Sequence, residues 1–199
     1  MVRNSLLTSN DNINTAVQPY EYARRLSIMK KNRQVMILDD QSTGRAILEQ
    51  VIQQIADNII VSTFANPHEA LVWLDSNDAD LIVTDYRMPE MNGVEFIQQV
   101  RHKEQHQHVP IMMITVVSEK EVRYEALESG ATAFLTRPID QVECRTSCRN
   151  LLKMHEQQLI IQDRADWLAR QVEIATAQII AREKETIIRL AKAGEYRDE

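Results

Sequence analysis

Five short apolar runs, separated by four segments with helical spacing, constrain the fold of this chain more than any other feature. The runs are rich in β-branched residues and read VMILDD, IIVSTFA, DLIVTDY, VPIMMITV and ATAFLT. Strands that are continuously apolar are typical of a parallel sheet with helices on both faces, because each strand is then buried on two sides. The alternation therefore predicts an α/β fold with a doubly wound, five-stranded parallel sheet in residues 33–150.

A long helical segment with no strand after it continues the chain. After Ile161 its apolar residues are alternately four and three residues apart, which is typical of a two-stranded coiled coil. We therefore predict a dimerising coiled-coil helix in residues 151–184, with a helix that packs only against its own domain as the alternative. The apolar seam consists of Leu151, Met154, Ile161, Ala165, Leu168, Val172, Ala175 and Ile179.

The composition and the first residues of the chain argue against several functional classes. The net charge of −6 argues against binding nucleic acid by neutralising its phosphates. No apolar stretch is long enough to insert into a membrane, and no apolar signal region begins the chain, so we expect a cytoplasmic protein. Residues 1–32 are polar and aperiodic, and we expect them to form a flexible N-terminal arm.

The cysteines and histidines are expected to be structural or solvated residues. Cys144 and Cys148 lie four residues apart on one face of a predicted helix, where they would act as small core hydrophobes. His102, His106 and His108 lie between a helix end and a strand start, and we expect all of them to be solvated loop residues.

Acidic residues follow two of the predicted strands. Asp39 and Asp40 end the first strand and Asp85 ends the third. If the strand order is 2-1-3-4-5, these strands are neighbours, and their carboxylates converge at the edge of the sheet where ligands bind. Converging carboxylates repel one another, and a hard cation such as Mg²⁺ suits an all-oxygen site. The alternative for any single member is a helix cap or a solvated strand end.

Two more residues are predicted to end strands at the same edge, Thr115 and Arg137. A hydroxyl group and a cation beside a carboxylate–metal cluster would stabilise an incoming phosphoryl group. Asp85 would then be the nucleophile that forms an acyl phosphate. The turn sequences after Asp85 are expected to leave it open to the donor and to position the backbone carbonyl of Arg87 as a further metal ligand.

The motifs ILDD, TDYRMPEMNG, MMIT and FLTRPID make residues 34–155 resemble the receiver domain of two-component response regulators. The resemblance implies a flavodoxin-like fold with strand order 2-1-3-4-5 and a cis peptide bond before Pro138. It implies Asp40 as a direct Mg²⁺ ligand and Asp39 as a ligand through water. Asp85 corresponds to the phospho-acceptor, and Thr115 and Phe134 correspond to the switch hydroxyl and the switch aromatic.

The resemblance implies that a sensor histidine kinase or a phosphotransfer domain passes a phosphoryl group to Asp85 with Mg²⁺. One departure is that the family has lysine where this chain has Arg137, whose planar fork either grips two phosphoryl oxygens or is too large for the site. In the second case the chain would be a receiver-like dimerisation or protein-interaction module that is not phosphorylated. A small-molecule phosphatase is disfavoured, because Arg87 stands where the general acid would be needed.

The segment ETIIRLAKAGEYRDE, residues 185–199, resembles the opening of an HD-GYP domain, a phosphodiesterase that hydrolyses cyclic di-GMP. No His-Asp dyad and no Gly-Tyr-Pro motif occur in the 199 residues. We therefore expect a chain truncated before the catalytic residues of its output domain. By itself it would be a switch rather than an enzyme, and the full-length protein would be a cyclic di-GMP phosphodiesterase controlled through the dimerising helix.

Overall fold

The computed structural model describes residues 32–116 and 120–195. The predicted N-terminal arm lies outside this part of the chain, apart from residue 32, and so do the last four residues of the predicted output-domain segment. The elements in chain order are β1 (Arg33–Leu38), α1 (Ser42–Gln53), β2 (Ile59–Phe64), α2 (Pro67–Leu74), β3 (Leu81–Asp85), α3 (Gly93–Arg101), a 3₁₀ helix (Glu104–His106), β4 (Ile111–Thr115), α4 (Lys120–Glu128), β5 (Ala133–Thr136) and α5 (Gln141–Glu195).

All five strands are parallel and lie in the order β2-β1-β3-β4-β5, which confirms the predicted sheet. The order in which strands are added to the sheet changes side between β1 and β3. Ligands bind in the crevice at this point in such folds. In the register of these two strands, Leu38 pairs with Thr84. The residues that follow the pair, Asp39 and Asp85, therefore lie at the same edge of the sheet.

Alternate residues of each strand point to opposite faces of the sheet, so that the core has two layers. One layer packs strand residues against α2, α3 and α4, and its fully buried members include Met36, Leu38, Ile82, Phe96 and Ile111. The other layer packs strand residues against α1 and α5, and it includes Ile37, Leu48, Val83, Cys144 and Cys148. The structure thus confirms both cysteines as free thiols in the core.

A capping box fixes the point at which α3 begins, directly after the loop that follows Asp85. The Asn92 side chain accepts a hydrogen bond from the Glu95 amide at 3.0 Å, and the Glu95 carboxylate accepts one from the Asn92 amide at 2.9 Å. Since these bonds satisfy amide groups that the helix leaves unpaired, they stabilise the start of the helix.

The prediction for His106 is wrong, because this residue is fully buried in the 3₁₀ helix. The turn brings its side chain under the end of α2, where Nε2 lies 2.9 Å from the Leu74 carbonyl oxygen. The polar residues around His106 in the sequence do not indicate that its side chain is buried. The burial depends on how the chain turns after α3. His102 and His108 are exposed, as predicted.

The chain divides into two compact units, residues 1–156 and 157–199. Within the first unit Leu151, Leu152 and His155 are buried, so the first member of the predicted seam belongs to the core. Arg33 at the start of β1 forms an ion pair with Glu156, with 2.9 Å between Nη2 and Oε2. The side chains of residues 168–192 in the second unit are exposed.

No helix in the described ranges combines the length and the apolar character that crossing a bilayer would require.

Candidate functional site

Arg137, which follows β5, connects the two carboxylates at the ends of β1 and β3. Its Nη2 atom lies 2.5 Å from Oδ2 of Asp39 and 3.1 Å from Oδ1 of Asp85, and its Nε atom lies 3.3 Å from the same Asp85 oxygen. Asp39 is fully buried, Asp85 is 6% exposed, and the Arg137 side chain is 18% exposed. A guanidinium group therefore sits between two buried carboxylates at the crevice of the sheet.

Each oxygen of these two carboxylates accepts a hydrogen bond. The Asp39 Oδ1 atom accepts one from the Gln41 amide at 2.8 Å, and Asp85 Oδ2 accepts one from the Arg87 amide at 3.1 Å. The remaining oxygens accept from Arg137. Because an unpaired buried charge is costly, these bonds explain how two acidic side chains remain together inside the fold.

The pKa values of Asp85 and Arg137 are both raised, but for different reasons. Burial raises the pKa of Asp85, and the nearby charge of Asp39 adds to this, while Arg137 offsets part of the increase. Burial by itself would lower the pKa of Arg137, but its hydrogen bonds and charge interactions with Asp39 and Asp85 outweigh burial and raise it. Arg137 is therefore a permanent cation in this environment.

Asp85 is less accessible than the sequence leads us to expect. The turn residues after it were predicted to leave it open to a donor, but the structure leaves only 6% of the residue exposed. The Arg137 side chain contacts the Asp85 carboxylate from the end of β5 and contributes to this burial. Access to the carboxylate thus depends on where Arg137 points, which a sequence motif does not specify.

The other predicted site residues lie around this pair at the same edge of the sheet. Asp40 follows Asp39 and is exposed. Thr115, the last residue of β4, is 2% exposed, and its carbonyl accepts a hydrogen bond from the Arg137 amide at 2.9 Å. Phe134 lies on β5 and packs against the layer formed with α2, α3 and α4. The peptide bond before Pro138 is cis, as expected.

Two residues at the start of α1 contribute to the site and were missed in the sequence. The Arg45 side chain donates a hydrogen bond to the Asp39 carbonyl oxygen at 2.5 Å. Gly44 is buried beside the Asp39 carboxylate, and a Cβ atom there would collide with Asp39 Oδ2 and lie 3.3 Å from Arg137 Nη1. A Gly-Arg pair five residues after an acidic strand end is the only sequence signal for them.

The residues at this edge suit a hard divalent cation in their chemistry. In the described ranges no group of three or more acidic, histidine or cysteine side chains is already arranged as a metal site. Mg²⁺ needs only one or two carboxylates, because it keeps several of its waters. Asp39, Asp85, the exposed Asp40 and the Arg87 carbonyl offer oxygen atoms alone, so this donor set fits Mg²⁺ and does not suit softer metals.

A family model described as the response regulator receiver domain matches residues 35–149. Among known proteins, the chain is 40% identical over 164 residues to the cyclic di-GMP phosphodiesterase response regulator RpfG of Xanthomonas campestris pv. campestris (strain 8004). That alignment covers 82% of this chain and 43% of RpfG, so the chain spans less than half the length of this relative.

Two chemotaxis proteins of Vibrio cholerae are similar to the first part of the chain. The chain is 31% identical over 118 residues to CheY-3, which covers 56% of this chain and 85% of CheY-3. The solved structure of CheY4 superimposes with a TM-score of 0.56 at 28% identity, covering 60% of this chain and 98% of CheY4. The similarity extends over almost the whole of these small proteins.

Proposed function

The chain belongs to the response regulator receiver domain family, and on this premise we propose that it is a phospho-acceptor switch. Asp85 accepts a phosphoryl group from a sensor histidine kinase or a phosphotransfer domain. The observation that carries this proposal is the pair of buried carboxylates, Asp39 and Asp85, with the Arg137 cation between them at the crevice of the sheet. Burying two acidic side chains together is costly, which favours a functional reason for the pair.

In the proposed reaction, a carboxylate oxygen of Asp85 attacks the phosphorus atom of a phosphohistidine. The P–O bond forms as the P–N bond breaks, and the imidazole leaves with the electron pair of that bond. Arg137 directs N–H groups at the oxygens that carry the transferred charge, and Thr115 donates its hydroxyl hydrogen to one of them. Asp39, Asp40, Asp85 and the Arg87 carbonyl would hold Mg²⁺, which would supply further positive charge there.

Phosphorylation then changes the balance between two conformations of the receiver. The added negative charge on Asp85 attracts Arg137 and the Thr115 hydroxyl, and Phe134 repacks in the space beside them. In this proposal the new arrangement of β5 and α4 is passed to α5, which pairs with the same helix of a second chain. The population shifts only as far as the phosphoryl group binds one conformation better than the other.

The output of the switch is proposed from the similarity to RpfG. The alignment with RpfG is 164 residues long and the receiver match spans residues 35–149, so the likeness includes part of α5 beyond the receiver. We propose that residues 151–184 form the coiled-coil signalling helix and that residues 185–199 begin an HD-GYP domain. The full-length protein would then hydrolyse cyclic di-GMP under the control of Asp85.

Treatment with acetyl phosphate tests the phospho-acceptor directly. We expect the chain to gain the mass of one phosphoryl group in the presence of Mg²⁺, because Asp85 and the cationic groups around it form an acceptor site. Intact-mass spectrometry measures the gain, and peptide mapping locates it. The matched control is Asp85→Asn, which keeps the size of the side chain, removes its nucleophilic oxygen and should show no gain.

One observation favours a second candidate, a receiver-like interaction module that is never phosphorylated. Asp85 is only 6% exposed, and the Arg137 guanidinium covers it. If neither the native chain nor Asp85→Asn gains mass under conditions that modify other receivers, the interaction module is the better account. A gain located at Asp85 excludes it.

A further inference from the structure

We propose that Arg137 is a built-in counter-cation that competes with Mg²⁺ for the Asp39–Asp85 pair, so that Mg²⁺ binds only as the guanidinium leaves these carboxylates. The inference rests on the proposed function in that it concerns the same acidic site. It goes further in making the arginine a regulator of cation affinity. A cation bound without displacing Arg137 would contradict it.

The chain itself already supplies a cation to the pair. Arg137 Nη2 contacts Oδ2 of Asp39 at 2.5 Å and Oδ1 of Asp85 at 3.1 Å, which makes one guanidinium the shared partner of both carboxylates. The other oxygen of each carboxylate accepts a hydrogen bond from a backbone amide. Two buried carboxylates without a partner would require an external cation, and Arg137 meets one of the two charges internally.

Arg137 and Mg²⁺ cannot use these carboxylate oxygens together. Mg²⁺ requires oxygen ligands at about 2.0–2.1 Å in near-octahedral geometry. The Arg137 nitrogens already lie within 2.5–3.3 Å of the same oxygens. A divalent ion among them would be held beside a positive group, and like charges repel strongly at such separations in a buried site.

Arg137 cannot yield by losing its proton, because a guanidinium remains charged at any pH that proteins tolerate. The side chain must therefore move away from the carboxylates for Mg²⁺ to bind. It is 18% exposed, so it is not fully enclosed by the fold.

The shape of the side chain also matters. Arginine spans two carboxylates because its N–H groups diverge from a planar fork, whereas lysine presents one compact ammonium group. Lysine at position 137 would keep the charge but form fewer hydrogen bonds with the pair, so it would compete less. The order of Mg²⁺ affinity should therefore be weakest in the native chain, stronger in Arg137→Lys and strongest in Arg137→Gln.

Titration calorimetry with MgCl₂ on the full chain tests this order. We expect the dissociation constant for Mg²⁺ to fall by at least about tenfold from the native chain to Arg137→Gln, because the variant loses a charged contact with each carboxylate. The matched control is Arg149→Gln, which changes the net charge equally at an exposed position of α5 and should leave the constant unchanged. Thermal unfolding should show Arg137→Gln destabilised without Mg²⁺ and largely restored with it.

Equal dissociation constants in the native chain and in both Arg137 variants would overturn the inference, and so would tighter binding by the native chain. Arg137→Lys retains the charge, so it provides the comparison if Arg137→Gln does not fold. The same samples are treated with acetyl phosphate. Phosphorylation of Asp85 without the affinity order refutes only the competition, whereas the affinity order without phosphorylation in any sample refutes only the proposed function.

Discussion

An Arg101→Met variant is expected to lose roughly 4 kcal/mol of unfolding free energy, because three carbonyl groups lose a donor at about 1–3 kcal/mol each. Arg101 Nη1 donates to the His106 and Val109 carbonyls at 2.9 and 2.8 Å, and Nη2 donates to the Gly130 carbonyl at 2.7 Å. One side chain thus joins the loop after α3 to the loop after α4. Urea unfolding followed by circular dichroism measures the loss.

The electrostatics around Arg101 differ from those around Arg137. Burial lowers the pKa of Arg101, and its recorded partners are neutral carbonyls rather than carboxylates. The several N–H donors of its guanidinium group therefore matter more than its charge. Arg101→Lys should recover only part of the lost unfolding free energy. Arg149→Met, at an exposed position, is the control and should change the stability by less than about 0.5 kcal/mol. A similar effect of both methionine variants would show that the carbonyl contacts contribute little.

A Gly93→Ala variant is expected to lose about 3 kcal/mol, since added atoms in a well-packed region force the backbone to shift. A Cβ atom at this position would lie 2.5 Å from the Asp85 carbonyl oxygen and 3.0 Å from the Tyr86 Cα atom. Both are backbone atoms, so no side chain can move aside. The Gly93 amide also donates to the Tyr86 carbonyl at 2.8 Å, which closes the loop over the end of β3.

Chemical denaturation of Gly93→Ala is best compared with Gln141→Ala, because both residues are the first of a helix. Gln141 is exposed, so its replacement should change the stability by less than about 0.5 kcal/mol. If Gly93→Ala is as stable as this control, the loop after β3 can move away from α3 at little cost. The close approach of Gly93 to the Asp85 carbonyl would then have no part in positioning Asp85.

The sheet could be predicted from the sequence because its signals are local. A strand buried on both faces must be apolar along its length, so each run shows its own position, and the alternation with helices sets the parallel order. The placement of Asp39 and Asp85 follows from the same pattern, since the strand ends meet at one edge of the sheet.

The contacts made by long side chains could not be predicted in this way. The motif around Arg137 predicts its place at the acidic edge, but it does not show that this side chain joins two carboxylates or that Arg101 joins three carbonyls. In the sequence, Gly130 lies 29 residues from Arg101, and Asp39 lies 98 residues from Arg137. No periodic pattern in the sequence encodes such a separation. The burial of His106 has the same origin, because it depends on the end of α2, 32 residues earlier.

The Arg33–Glu156 ion pair joins the two ends of the receiver and so defines the shortest piece worth isolating. Cutting the chain at residue 150 would delete Leu151 and Leu152 from the layer beneath α1 and leave Arg33 without its carboxylate. A fragment for crystallisation or binding work should therefore begin no later than residue 32 and end no earlier than residue 156.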